Sequence, residues 1–254
     1  PMTMYLKPSM KHQLREYLPG IAIILIVDLL TMAAINLLAF QADDSSATMV
    51  TINGFSTIFV IFLFVYGILN SRNDMRVGIQ LGVGRRTTFL ASLLSAVVVS
   101  LFLAILQELL LIFSQVLDGF SGANTTDLYV LIFRDGSTVL TVGQHFGSLV
   151  FAASFILAAW AVGCFFSFLF GRRNTIVTII AGTTFIAREI AIPYILTRLY
   201  ETYAPAKHAM DALSTACQAS SWVLTGLFLA VTAVAAILSW LLVRNANIRG
   251  TTVK

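Results

Sequence analysis

The sequence predicts an all-α, polytopic integral membrane protein, and three observations carry that prediction. The first is composition: of 254 residues, 58% are hydrophobic and 11% charged, whereas a water-soluble domain carries about 25% charged residues. Mean hydropathy is +0.88, more apolar surface than a soluble fold can hide. The second is that apolar residues fall in runs of roughly 20 or more, the length at which a helix crosses a hydrocarbon core of about 30 Å. The third is that the bases gather in short segments between those runs. A net charge of +4 and a pI near 9.3 therefore report orientation in a membrane and not nucleic-acid binding.

Residues 1–18 are polar and basic, with Lys7, Lys11 and Arg15. The segment KHQLREYL is expected to form a short amphipathic helix on the cytoplasmic surface. Pro19–Gly20 marks a turn into the first span, about 21–40. No cleavable leader is expected, because that span is too long for a signal core. The acidic link QADDSSAT suits the outer face, and span two covers about 50–69.

The polar stretch SRNDMRVGIQLGVGRRTTF, Ser71 to Phe89, comes next and carries Arg72, Arg76, Arg85 and Arg86 against Asp74. Met75, Ile79 and Val83 recur at helical spacing, opposite Arg72, Arg76 and Gln80. Gly82 and Gly84 then end the helix. A short amphipathic helix at the membrane mouth is a surface another protein can push on. A basic loop that only sets orientation has the same charge, and the residues alone leave both readings open.

Span three, about 88–115, is long enough to tilt or protrude. Residues 116–143 form an outer polar region with Asp118, Asn124, Asp127, Arg134 and Asp135. Its LYVLIF is too short to cross and reads as a strand or an interfacial segment. Span four, about 146–170, ends at the basic loop Gly171-Arg172-Arg173-Asn174. Span five, about 175–196, is interrupted by Arg188, Glu189 and Pro193, and span six covers about 222–243. Arg244, Arg249 and Lys254 close the chain, so residues 1–254 read as a single transmembrane domain.

With both termini inside, the inner segments hold Lys7, Lys11, Arg15, the four arginines of the 71–89 stretch, Arg172, Arg173, Arg244, Arg249 and Lys254. The outer segments keep Arg134, Arg198 and Lys207. That asymmetry predicts six spans with both termini cytoplasmic.

Asp28, Gln107, Glu108, Arg188 and Glu189 fall inside the spans. A charge at mid-membrane costs about 2.5–3.5 kcal/mol on insertion scales, so such residues face a partner or water. Arg188 is expected to pair with Asp28 or with Glu108. The group forms either a polar cavity or a structural pair that fixes helix packing. Small residues at four-residue spacing are too common in these spans to locate a helix interface.

Signals for catalysis are lacking. The sequence has no zinc pattern, no GxSxG and no GxxxxGK[ST] phosphate loop. His12, His145 and His208 are far apart in sequence, and His145 reads as an interfacial polar residue. Cys164 and Cys217 fit no metal-ligand spacing and are not expected to form a disulfide. The expectation is a chain with no metal and no catalytic residues.

The six-span layout and the loop GIQLGVGRRTTF resemble permease subunits of type-2 ABC exporters (ABC-2), Gram-positive type. There a glycine, a small residue and one or two basic residues precede a Phe, as in Gly82-Val83-Gly84-Arg85-Arg86-Thr87-Thr88-Phe89. The resemblance implies a coupling helix at about 73–81 that docks on a separate ABC ATPase subunit, with Arg72, Asp74, Met75, Arg76, Ile79, Arg85 and Arg86 as the coupling set. It also implies an interfacial N-terminal helix and a polar re-entrant segment at about 193–218. A second permease chain, identical or paralogous, would complete the transporter in the cell membrane. ATP and Mg would be held by the ATPase, with no cofactor in this chain. The implied cargo is amphipathic: a peptide, an antimicrobial or a lipid-like molecule. Residues 116–143 are longer than the minimal outer loop of that layout. Two other readings stand beside it. One is an ion- or proton-coupled carrier using Asp28, Glu108, Arg188 and Glu189 as its relay. The other is a non-transporting immunity or scaffold protein.

Overall fold

A computed structural model describes residues 3–41, 51–53, 55–121, 124–126, 128–133, 141–170 and 220–245. Its elements are α1 (Thr3–Gln41), β1 (Thr51–Asn53), α2 (Phe55–Gln80), α3 (Arg85–Ser121), β2 (Asn124–Thr126), α4 (Leu128–Phe133), α5 (Val142–Phe170) and α6 (Ser221–Asn245). Five of the helices, α1, α2, α3, α5 and α6, are long and apolar enough to cross a membrane. The architecture is that of a multi-pass helical membrane protein. The span expected over 175–196 lies outside the described residues.

Contacts fix the direction of each helix. Tyr17 stacks on Tyr66 with ring centroids 3.9 Å apart, and Gly20 lies against the Phe62 ring, so α1 and α2 are antiparallel. A turn of four residues joins α2 to α3 and brings Gly78 against Thr88. On α6, Ser221 meets Tyr129 of α4 at 3.5 Å, while Phe89 near the start of α3 meets Trp240 at 5.6 Å. Phe155 of α5 stacks on Phe228 of α6 at 4.7 Å. α5 and α6 therefore run in the same direction, antiparallel to α3. The start of α1, the α2–α3 turn and the end of α6 share one end of the bundle.

The core is a seam of apolar side chains from five helices, with Ala235 and Val243 as the buried contribution of α6. Phe59 and Leu63 of α2, Leu103 of α3, and Ile156 and Trp160 of α5 are fully buried, joined by Tyr17 and Ile21 of α1. On α3 the buried positions recur every three or four residues, from Thr88 through Ser92, Ser95, Val99 and Leu103 to Gln107, Leu110 and Ser114. The opposite face bears Leu90, Leu94, Leu101, Phe102, Ile105, Leu109 and Phe113, all exposed. An exposed aliphatic face on a long helix is what a lipid environment stabilises.

Three boundaries differ from the sequence expectation. α1 runs unbroken for 39 residues through Pro19, so KHQLREYL is the first part of the spanning helix and not a separate surface helix. Proline removes one backbone donor, a loss that membrane helices absorb when neighbours hold both sides in line. Here Gln13 and Tyr17 on one side, and Gly20 and Ile21 on the other, are packed against α2 and α3. Gly20 serves close approach, since a Cβ there would lie 2.8 Å from the Phe62 ring. Second, span two does not begin at residue 50. Thr51–Asn53 pair in parallel with Asn124–Thr126, and the helix starts at Phe55. Third, LYVLIF is the short helix α4 and not a strand.

Candidate functional site

The residues expected to couple to a partner lie at the end of α2 and the start of α3. The expected coupling helix is not separate: α2 continues without a break from Phe55 to Gln80. The helix then closes by a Schellman motif. The Val83 N–H donates to the Gly78 carbonyl at 2.8 Å and the Gly82 N–H to the Ile79 carbonyl at 3.0 Å, while Gly82 takes φ +75°. Those bonds satisfy carbonyls that a helix end otherwise leaves open, and the left-handed residue suits glycine.

The seven coupling candidates divide by direction. Arg72 and Arg76, one turn apart, are exposed, and Asn73 and Gln80 are exposed beside them. Met75 points the other way into the core, with Ile79 half-buried. Asp74 is half-buried and lies near Glu16 of α1. Glu16 in turn meets His12 at 3.5 Å.

Arg85 and Arg86 turn toward α6. Arg85 Nη1 donates to the carbonyl oxygens of Val243 at 3.5 Å and Arg244 at 3.4 Å, an interaction a helix C-terminus favours through its open carbonyls and dipole. The Arg86 guanidinium lies 5.9 Å from the centre of the Trp240 ring, within cation–π range. These two arginines contact α6, Arg85 half-buried and Arg86 still exposed, while Arg72 and Arg76 are exposed on the α2 side of the turn. Sequence reasoning missed Leu81, which is 72% exposed at the tip. A leucine directly before a helix-ending glycine was the available signal.

The pairing expected of Arg188 with Asp28 or Glu108 involves a residue outside those described. Glu108 Oε2 lies 3.1 Å from His145 Nδ1 of α5, so its partner is the residue that sequence alone marks as interfacial. Asp28 is fully buried, and neither carboxyl oxygen has a hydrogen-bond partner among the described residues. Arg188 and Glu189 lie outside the described residues. A further polar link, absent from the sequence reading, joins α1 to α3: Gln13 Nε2 donates to Ser92 Oγ at 2.9 Å, and Ser95 Oγ donates to Gln13 Oε1 at 3.1 Å. Among the described residues no cluster of three or more His, Cys, Asp or Glu side chains is arranged to hold a metal ion. No protein-family model matches the chain, and neither curated proteins nor solved structures contain a match to it.

Proposed function

We propose that the chain is the transmembrane permease subunit of an ATP-driven exporter, working with a separate ATPase and a second permease chain at the cell membrane to move an amphipathic cargo out of the cell. The observation that carries this reading is the α2–α3 turn. It presents Arg72, Arg76 and an exposed Leu81 on a helix end closed by hydrogen bonds and braced by α1 and α6. Arginine is among the residues enriched at energetic hot spots of protein interfaces. A braced turn passes force from a moving partner into two spans at once. The arginines offer complementary charge to an acidic surface. The parallel run of α5 and α6 supports a further crossing between them, and hence six spans with both termini on the side of the turn. The basic residues of that end make it the cytoplasmic one.

The test is a mild-detergent pull-down of the tagged chain from its native membranes, with the eluate assayed for ATP hydrolysis. R72E/R76E should lose the co-eluting ATPase activity while melting within about 1–2 °C of the native chain, since exposed substitutions away from packed features change stability little. R85E/R86E should lower the melting temperature instead, because those side chains contact α6. A folded, monodisperse native chain that brings down no ATPase activity would sink the reading, as would R72E/R76E that retains it.

A further inference from the structure

At the end of the bundle opposite the arginine turn, one titratable contact joins two spanning helices. Glu108 is 9% and His145 31% exposed at the side chain, with 3.1 Å between Oε2 and Nδ1. Both ends of the contact are held rigidly. The first turn of α5, which carries His145, is tied by two bonds: the Thr141 N–H donates to Gln144 Oε1 at 2.8 Å, the reaching-back half of a capping box, and the Gln144 N–H donates to the Thr141 carbonyl at 2.8 Å. On α3, Glu108 follows the buried Gln107, next to fully buried Leu103 and Ala104 one turn below. Among the described residues, the second carboxyl oxygen, Oε1, is buried and has no hydrogen-bond partner, and one turn along α5 the buried Ser148 hydroxyl likewise has none.

We propose that Glu108 and His145 form a proton-binding site that clasps α3 to α5, closed when the imidazole carries its second proton and loosened when it gives that proton up. The chemistry follows from the surroundings. With the imidazolium in place the contact is a charge-assisted hydrogen bond. After its loss the neutral ring keeps one N–H to donate to the carboxylate, but the counter-charge is gone and, among the described residues, Oε1 has no partner, so the buried charge becomes more costly.

No other described base neutralises that carboxylate. α1 contributes Asp28, a further acid that the α1–α3 register places near the same level. α4 contributes the Tyr129 hydroxyl beside Gly147. The outer half of α2, the strand β2 and residues 221–243 of α6 carry no acid or base. The dipole of the first turn of α5 disfavours a cation, but it acts without a direct bond and fades within that turn. His145 stands in the first turn of α5, at the end of the span. An imidazole is the side chain whose ordinary titration falls between about pH 5 and 8. The site requires neither an ATPase nor transport.

The experiment uses the full chain in phosphatidylcholine/phosphatidylglycerol nanodiscs at about pH 5.5 and about pH 8, on either side of imidazole titration. Spin labels are placed at Val116 of α3 and Val142 of α5, both exposed, in a Cys164→Ala/Cys217→Ser background. For the native pair, raising the pH should lengthen or broaden the inter-label distance. His145→Gln and Glu108→Gln should each remove this response, and the double variant should behave like either single one. A folded Glu108→Gln chain keeps the proposal testable if His145→Gln does not fold. A native chain with no change across this range overturns the proposal. So does a variant that keeps the native pH response.

Discussion

At the scale of single residues, two glycines decide how closely α2 and α5 approach. A Cβ on Gly163 would fall on the Phe64 carbonyl oxygen, and one on Gly67 would sit 2.7 Å from the Trp160 carbonyl oxygen. Helices in lipid associate through such close packing of small residues. Gly163→Ala must push the backbones apart and is expected to cost about 1–3 kcal/mol, read as a lower melting temperature in detergent. Gly226→Ala is the control, because among the described residues a Cβ there meets nothing within 4 Å. Equal melting of the two variants would mean the seam has slack. Nothing in the sequence separates Gly163 from Gly226. Both lie in apolar spans, and what distinguishes them is the helix that happens to lie opposite.

At the scale of elements, α1 shows where local signals stop informing. Pro19-Gly20 is a turn signal in isolation, yet the helix passes through it, held by Tyr66 and Phe62 from a helix some forty residues on. The tail of α2 was legible because its periodicity is local. Met75 against Arg72 and Arg76 separates inward from outward faces without help from elsewhere, and Gly82 ends the helix where its conformation is needed. That Arg85 and Arg86 reach α6 was not legible, since it depends on carbonyls and a tryptophan ring more than 150 residues away. Gln13 belongs to the same class. Its amide satisfies two serines of α3 inside the bundle, so Gln13→Ala should cost about 0.6–2 kcal/mol and loosen α1. Gln13→Glu should cost more at neutral pH, since a carboxylate accepts from the serines but cannot donate. Thermal melts of the two variants check the order, and an unchanged Gln13→Ala chain would remove the link from the account.

At the scale of the molecule, composition alone was enough to show a helical bundle in a membrane, and the spans about 21–40, 88–115, 146–170 and 222–243 fall inside α1, α3, α5 and α6. Charge pairing was not readable, because Glu108 and His145 are 37 residues apart and become neighbours through the antiparallel run of α3 and α5. The order of crossings makes its own prediction. In a cysteine-free background, single cysteines at Lys11 and Arg76 should react with a membrane-impermeant maleimide from the same side of sealed vesicles. A cysteine at Val142 should react from the other side. Labelling of Arg76→Cys and Val142→Cys from one side would break the arrangement described here.

The four-residue turn between α2 and α3 also constrains how the chain is made. Four residues reach about 14 Å at full extension, so these two spans cannot settle in distant parts of the bilayer and meet later. They enter as a hairpin, and Glu108 crosses in company with a second apolar helix. Lengthening the turn with a flexible insert should slow biogenesis of the protein while leaving its finished bundle intact.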